Sequence, residues 1–338
     1  MNTLRWGLIG ASDIAATRVI PALRRLGHDV VTVFSSSGER AKAYAAENGI
    51  PGAVSALDAL LESDIDAVYI STVNELHHDR TLAAAAAGKH VLCEKPLALT
   101  LDDARSMVAA CDAAGVVLAA NHHLPGAATH REIRRLVEAG AIGRPLAARV
   151  FHAVQLPERL RGWRLTDSAR GGGVVLDITC HDASVLNALL GTPLEATAVA
   201  VSQGDWEGSA PDAVMSAIRY SGDVLVQTHD AFTVAHAGTG FEVHGTEGSI
   251  VATDVMTQDP VGTVLLRDSA GTREVPVENR RDLYDTVLDA FAATVAGEGT
   301  PAVDGVGGMR ALAVALAVDE AARSNRAVAV ESAQESHA

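Results

Sequence analysis

A lysine, an aspartate and a histidine in two separate segments are the residue types needed to protonate a carbonyl oxygen. Residues 92–97 read L-C-E-K-P-L and place Lys95 just after a short apolar run. Further on, G-G-G-V-V-L-D-I-T-C-H carries Asp177 and His181 four residues apart, hence on one face of an α-helix. Ketone reduction leaves negative charge on the oxygen, which must be stabilised and protonated. We therefore predict that Lys95, Asp177 and His181 are catalytic and that Asp177 and His181 also contact the substrate.

Each of these residues also has a structural interpretation: Lys95 alone could be a solvated lysine after a strand, and His181 a hydrogen-bonded core histidine. Two adjacent histidine pairs, at 77–78 and 122–123, follow predicted strands but lack the spacing of a zinc site, so no metal is predicted. We expect Asn74 and His77 to bind a cofactor and His122 to contact substrate. His78 and His123 are expected at the surface.

Short apolar runs alternate with alanine-rich helical stretches through the first third of the chain, a pattern typical of parallel strands joined by crossover helices. The predicted strands are residues 5–9, 30–34, 67–71, 90–93 and 116–119. The predicted helices are residues 14–26, 40–48, 57–61, 77–87 and 100–114. This part is therefore predicted to be an α/β domain with a doubly wound parallel sheet of the Rossmann type.

The composition changes after residue 124, where runs of strands follow few helices, a pattern that favours a mostly antiparallel open sheet with helices in an α+β domain. The predicted elements are a helix at 131–139, strands at 146–154, 213–220, 224–233, 240–244, 249–253 and 262–267, and a closing helix at 306–324. We predict a dinucleotide-binding domain at 1–122, a substrate-binding domain at 123–330 and a polar tail at 331–338.

The segment W-G-L-I-G-A-S-D-I-A follows the first strand and opens a helix, which is the context of a dinucleotide-binding turn. Gly10 fits the first glycine of G-x-G-x-x-[GA], while Ser12 replaces the second and Ala15 the third. Serine still allows the backbone to approach a pyrophosphate, and alanine still allows close packing of helix on strand. We expect Asp13 to point outward because its carboxylate would repel the pyrophosphate.

The second strand ends in S-S-S-G-E-R, where an NAD-preferring site usually offers a carboxylate to the ribose 2'-hydroxyl. Ser35 and Arg40 instead suit a 2'-phosphate, because arginine presents a fork of donors and a permanent charge. NADPH is therefore the predicted cofactor, unless Glu39 rather than Arg40 faces the ribose. Glu94 and Lys95 are also predicted at the cofactor, since doubly wound sheets bind ligands at the carboxyl ends of their strands.

The length, net charge and cysteine content of the chain exclude several classes of protein. The chain has 338 residues, 48% of them hydrophobic, which allows two packed domains. A net charge of -15 argues against nucleic-acid partners, which need clustered cations. We expect no membrane span and no leader peptide, and the unpaired spacing of the three cysteines favours a reduced, cytoplasmic protein. The open sheet could support a homo-oligomer.

The G-x-x-G-A-S-x-I-A turn, the E-K-P motif and the G-G-G-V-x-x-D-I-x-x-H-D helix together resemble the glucose-fructose oxidoreductase, inositol dehydrogenase and rhizopine-catabolism (Gfo/Idh/MocA) family. The resemblance covers nearly the whole chain. It implies an NADPH-dependent reduction of a sugar ketone, with Ser12, Ala15, Ser35 and Arg40 at the cofactor. It also implies contacts to the sugar from three further residues, His152, Trp163 and Arg164.

Two other functions stay open at this point. One is a sugar or inositol dehydrogenase of the same family that works in the oxidative direction with NAD. The other is a non-catalytic nucleotide or sugar sensor, since a fold alone does not fix function. The complete set of Lys95, Asp177 and His181 favours an enzyme over a sensor.

Overall fold

The computed structural model describes residues 3–206, 208 and 210–332. The chain forms two compact units. The first runs to His123 and includes Tyr284–Met309, and the second comprises Leu124–Leu283 and the chain from Arg310 onward. The strands are β1 (Arg5–Ile9), β2 (Asp29–Phe34), β3 (Gly52–Val54), β4 (Ala67–Ile70), β5 (His90–Cys93), β6 (Leu118–Ala120), β7 (Pro145–Ala153), β8 (Pro193–Val201), β9 (Ala213–Tyr220), β10 (Val224–Ala231), β11 (Gly240–Gly245), β12 (Gly248–Thr253), β13 (Thr263–Asp268), β14 (Gly271–Glu274) and β15 (Val328–Ala329).

Helices join most of these strands. They are α1 (Ile20–Arg25), α2 (Gly38–Asn48), α3 (Leu57–Leu61), α4 (His77–Ala86), α5 (Leu101–Ala114), α6 (Ala128–Glu138), α7 (Trp163–Thr166), α8 (Cys180–Leu190), α9 (Leu283–Val295) and α10 (Gly305–Ser324). Two of them are preceded by π-helical turns, Ala15–Val19 before α1 and Val175–Thr179 before α8. Helix α5 begins as its sequence indicates, because the Thr100 hydroxyl accepts a hydrogen bond from the Asp103 N–H at 3.1 Å.

The first unit is built on a six-stranded parallel sheet in the order β3-β2-β1-β4-β5-β6. The predicted doubly wound sheet is thus confirmed, and the short edge strand β3 is added to it. The order changes direction between β1 and β4, which is where open α/β sheets bind ligands. Buried aliphatic and aromatic side chains such as Trp6 and Tyr69 fill the core around this sheet.

Helix α9 belongs to the first unit, although the sequence analysis did not predict it. Tyr284, Val287, Leu288 and Phe291 recur at helical spacing and are buried in the first unit's core. The ring centroids of Phe291 and Trp6 are 5.2 Å apart. The division therefore differs from the two consecutive segments of the sequence analysis, because residues 284–309 return to the first unit.

The second unit contains a nine-stranded sheet in the order β14-β13-β12-β11-β7-β10-β9-β8-β15. Only the β7–β10 pair is parallel among the paired strands described, so the mostly antiparallel sheet is confirmed. One face is covered by helices, and residues of α10 such as Ala311 and Val314 are buried with that face. Of the predicted polar tail, residues 333–338 lie outside the described part of the chain.

A stretch from Ser168 to Leu190 meets the length and hydropathy of a membrane-crossing helix, although the sequence predicted no membrane span. In the structure, 67% of its most apolar window is buried within the protein. The hydrophobic residues of α8 pack in the second unit's core, so this segment is accounted for as a core helix.

The turn after β1 brings the backbone against the loop after β4. Gly10 has φ +117°, and its N–H donates to the Phe34 carbonyl at 3.0 Å. A Cβ atom at this position would lie 2.9 Å from the carbonyl oxygen of Ser71, closer than real contacts allow. The first glycine of the predicted turn is therefore required by both conformation and space.

We predict that Gly10→Ala lowers the free energy of unfolding by about 1–3 kcal/mol from backbone strain alone, with a further loss from the clash. Gly271→Ala is the matched control, since Gly271 has φ +122° and nothing within 4 Å of the added methyl group. Thermal unfolding of both variants checks this. Equal decreases in melting temperature would show that the approach to Ser71 has no energetic consequence.

Candidate active site

The glycine turn of the first unit leads into a capped helix. The Ser12 hydroxyl accepts a hydrogen bond from the Ala15 N–H at 3.2 Å and donates to the Ser71 hydroxyl at 2.8 Å. Ala15 is fully buried, while Asp13 is exposed, as the sequence analysis expected. A small residue at 12 thus caps the helix and ties its start to the loop after β4, and the N-terminus of a helix favours a bound anion.

Arg40 reaches back to the same turn. Its guanidinium Nη2 donates to the Ala11 carbonyl at 2.7 Å. Ser37 caps α2 by accepting from the Arg40 N–H at 3.3 Å, and the Ser35 hydroxyl accepts from the Ser37 N–H at 3.4 Å. Glu39 and Arg40 are both exposed residues. Of the two charged residues that follow the serines, the arginine is thus the one bonded to the glycine turn.

The Glu94 carboxylate connects three neighbouring strands at their carboxyl ends. One of its oxygens accepts from the Tyr69 hydroxyl in β4 and from the Asn121 amide, 2.6 Å away, after β6. The other oxygen accepts from the Lys95 N–H at 3.3 Å. Burial and the charge of Glu94 raise the pKa of Tyr69, so this phenol stays a donor. The carboxylate fixes the backbone that carries Lys95.

Both ring nitrogens of His77 contact backbone carbonyls, one of them in the loop that carries Lys95. His77 is fully buried, with Nδ1 2.9 Å from the Pro96 carbonyl and Nε2 3.3 Å from the Thr72 carbonyl. Burial lowers its pKa, so the ring is neutral near pH 7. His77 thus joins the loops after β4 and β5. Its predicted contact with a cofactor stays a prediction.

Lys95 is half-buried among neutral imidazoles. Burial, followed by the charge of Lys95, lowers the pKa of the fully buried His122 to about 3. The same ammonium also lowers the pKa of His77. His123, expected at the surface, is instead buried and stacks on Tyr284 with ring centroids 5.4 Å apart. Asn74 is buried close by in sequence, at the start of the turn before α4.

Three predicted substrate residues meet in the second unit. The guanidinium of Arg164 lies 4.9 Å from the centre of the Trp163 ring, and its Nε is 3.7 Å from a carboxylate oxygen of Asp177. Gly172 lets the backbone pass close to Trp163, because a Cβ atom at this position would lie 2.5 Å from the Trp163 carbonyl oxygen. Asp177 itself lies in the π-helical turn before α8, whereas the sequence analysis assumed an α-helix.

A second cluster surrounds His152 on β7. Its Nδ1 is 2.7 Å from an oxygen of Asp182, and its ring centroid is 6.4 Å from that of His181. Asp182 contacts Asp230 in turn, and both carboxyl groups are fully buried. Sequence reasoning missed these aspartates. A signal existed for Asp230, which is in phase with the inward-facing Val224, Val226 and Thr228 of β10.

The first unit has the architecture of a dinucleotide-binding domain, and the second carries aspartate and histidine side chains beside a sheet. Both features are typical of a nucleotide-dependent oxidoreductase. Family models agree with this class. The oxidoreductase family with an NAD-binding Rossmann fold matches residues 4–122, and the GFO/IDH/MocA C-terminal domain matches residues 130–251. The chain belongs to the GFO/IDH/MocA family of oxidoreductases, which confirms the resemblance seen in the sequence.

Relatives of the chain span it almost completely. It is 53% identical over 329 residues to a 1,5-anhydro-D-fructose reductase of Ensifer adhaerens, covering 97% of this chain and 98% of that protein. It is 30% identical to a D-xylose 1-dehydrogenase (NADP(+)) of Haloferax volcanii, with 97% and 100% covered. The crystal structure of an aldose-aldose oxidoreductase from Caulobacter crescentus matches with a TM-score of 0.87 and 25% identity, covering 97% and 100% of the two chains.

We predict that Tyr69→Phe lowers the free energy of unfolding by about 1.5–3 kcal/mol, because it removes a hydrogen bond to a carboxylate. Tyr220→Phe is the matched control: Tyr220 is also fully buried, but its hydroxyl donates to the neutral amide of Asn187, so the loss is about 0.5–1.5 kcal/mol. Denaturant unfolding of both variants measures the difference. A loss at Tyr69 no larger than that at Tyr220 would contradict the anchoring role of Glu94.

Proposed function

We propose that the chain reduces the 2-keto group of 1,5-anhydro-D-fructose with NADPH and forms 1,5-anhydro-D-mannitol. The choice of substrate is carried by the 53% identity, over 97% of the chain, to an enzyme named for that reaction. The choice of NADPH is supported by Arg40, whose guanidinium is bonded to the glycine turn, while no carboxylate follows β2 until the exposed Glu39.

The first unit fits a dinucleotide on several grounds. Gly10 leaves no room for a Cβ atom, Ser12 caps a helix whose N-terminus suits pyrophosphate, and the fully buried Ala15 keeps that helix close to the sheet. Ser35 and Arg40 would hold the 2'-phosphate. The remaining proposed cofactor residues are Asn74, His77, Glu94 and Lys95. When bound, NADPH supplies the hydride.

The ketone oxygen gains negative charge during reduction and needs a proton donor. Lys95 and His181 are the two donors that we assign to it. Asp177, within 3.7 Å of Arg164, would hold that guanidinium and orient substrate hydroxyls. His122 stays neutral near pH 7, because its pKa is lowered to about 3, and would contact the substrate as a neutral imidazole.

The second unit would bind the sugar through an aromatic face and flanking donors. The Trp163 ring can lie against the apolar C–H surface of a pyranose, and Arg164 and His152 can bond its hydroxyls. Trp163 and Arg164 are already stacked on each other, so both side chains are oriented in advance. A polar sugar fits this combination better than an apolar ketone.

We infer a small-molecule substrate, no nucleic-acid partner and a cytoplasmic location. The net charge of -15 disfavours phosphate backbones. The three cysteines are buried and none of them forms a disulfide, consistent with a reducing compartment.

We predict that the rate of NADPH oxidation with 1,5-anhydro-D-fructose is well above the rate with common aldoses or inositols, and that the product has the mannitol configuration.

Lys95→Ala and His181→Ala should each lower kcat/KM by about 10²- to 10⁴-fold, since each removes a proposed proton donor. His244→Ala is the control, because the His244 ring on β11 is partly exposed and contacts Ser249 and Glu242. Absence of turnover would remove this substrate, and NADPH binding without reduction of any sugar ketone, with no effect of His181→Ala, would favour a sensor.

A charge reversal tests the cofactor preference separately. Arg40→Asp should raise the KM for NADPH by about tenfold or more, because a carboxylate would replace the cation at the 2'-phosphate. Glu39→Gln is the matched control and should leave that KM nearly unchanged. A large effect of Glu39→Gln with little effect of Arg40→Asp would instead support an NAD-dependent dehydrogenase.

A further inference from the structure

Four buried polar side chains form a connected group in the second unit. His152 on β7 and Asp230 on β10 are direct neighbours across the parallel strand pair. Asp182 on α8 lies over them, with its Oδ1 2.7 Å from the Nδ1 of His152. The Thr179 hydroxyl donates to Oδ2 of Asp230. The two aspartates are 0% exposed, so neither carboxyl group can rely on water.

The remaining oxygens of the two aspartates indicate a proton between them. Asp182 Oδ2 and Asp230 Oδ1 are buried, and no donor from another described residue reaches either atom. The two carboxyl groups nevertheless lie close enough to exchange a hydrogen bond, and this interaction is among the causes of the pKa shift of each. Two ionised carboxylates offer only acceptors, so this contact requires a proton on one of them.

The surroundings decide which aspartate carries the proton. Burial raises the pKa of Asp182 to about 7, and burial together with the charge of Asp182 raises the pKa of Asp230 further. The titratable groups that face the pair from other elements are His152 on β7 and Tyr220 on β9, with His181 beside Asp182 on α8 and His130 on α6 close to His152. An N–H at the Nδ1 of His152, 2.7 Å from Asp182 Oδ1, would favour the negative charge on Asp182.

We propose that Asp182 and Asp230 share one proton and act as positioning residues for His152. Asp230 carries the proton and donates it to Asp182, and the Asp182 carboxylate accepts from the Nδ1–H of His152. This fixes the tautomer of the histidine, so that Nε2 of the neutral ring is a hydrogen-bond acceptor. The proposal deepens the proposed function, in which His152 contacts the sugar, by making this residue an acceptor for a substrate hydroxyl.

The shared proton also makes the free energy of unfolding fall as the pH rises. A carboxyl group with a raised pKa binds a proton in the folded state that the unfolded chain releases above about pH 4. Its contribution to stability therefore falls as pH rises from that value through the folded pKa. Asp230→Asn keeps a neutral donor toward Asp182 but has no proton to release, so the decline in melting temperature between pH 5 and 8 should become shallower.

Two spectroscopic measurements test the proposal without relying on turnover. Infrared spectra at pH 8 should contain the carbonyl band of a protonated carboxyl group that is lost in Asp230→Asn. Asp212→Asn is the matched control, since Asp212 is also fully buried but accepts from the N–H groups of Gln203 and Gly204 at 2.8 and 2.9 Å. The band should persist in that variant.

Nitrogen-15 spectra of histidine-labelled protein, with His152 assigned by His152→Gln, should give the Nδ1–H tautomer in the wild type and in Asp230→Asn. Asp182→Ala should lose it, and Asp182→Asn, which keeps an acceptor oxygen, is the milder variant if Asp182→Ala fails to fold. A wild-type spectrum with the proton on Nε2, or an infrared band that survives Asp230→Asn, would overturn the proposal. Either result leaves the reductase assignment standing, and an inactive enzyme with both signatures would refute only that assignment.

Discussion

One carboxylate joins three strands of the first unit at the edge of the sheet where we propose that the cofactor binds. Glu94 follows β5 and accepts hydrogen bonds from Tyr69 in β4 and Asn121 after β6, so three parallel strands are joined at one edge. A partly buried carboxylate is costly without such donors, and these bonds also set the backbone of the next residue. Lys95 therefore leaves the sheet in a fixed direction.

The second unit also buries carboxyl groups, but fewer hydrogen-bond donors reach them. Asp182 and Asp230 are both fully buried, and the other groups bonded to them are His152 and Thr179 among the described residues. Two adjacent charges in that environment would repel each other strongly, so a proton between them is the less costly arrangement. In both units a histidine or lysine with a proposed role is thus oriented by a carboxyl group that does not itself react.

Much of the fold could be predicted because its signals are local. Alternating apolar runs, capping residues such as Thr100 and the glycine turn at Gly10 can each be recognised from a short stretch of sequence. Helix α9 was missed although Tyr284 and Phe291 lie on one helical stripe, because its partner Trp6 is far away in sequence. The π-helical turn around Asp177 was also missed, since residue spacing alone does not reveal how the helix is wound. His123 was misjudged for a related reason, since its burial depends on the ring of Tyr284, which is distant in sequence.

Burial of the histidines around Lys95 has a consequence for how the rate depends on pH. Desolvation is the largest cause of the lowered pKa of both His77 and His122, and the charge of Lys95 adds to it. Near neutral pH both rings are therefore uncharged, and positive charge in this cluster resides on the lysine. Because His122 titrates near pH 3, it does not contribute a step to the rate around neutrality. Any such step in the proposed reaction must come from other groups, and the raised pKa of Asp182, about 7, places the carboxyl pair beside His152 among them.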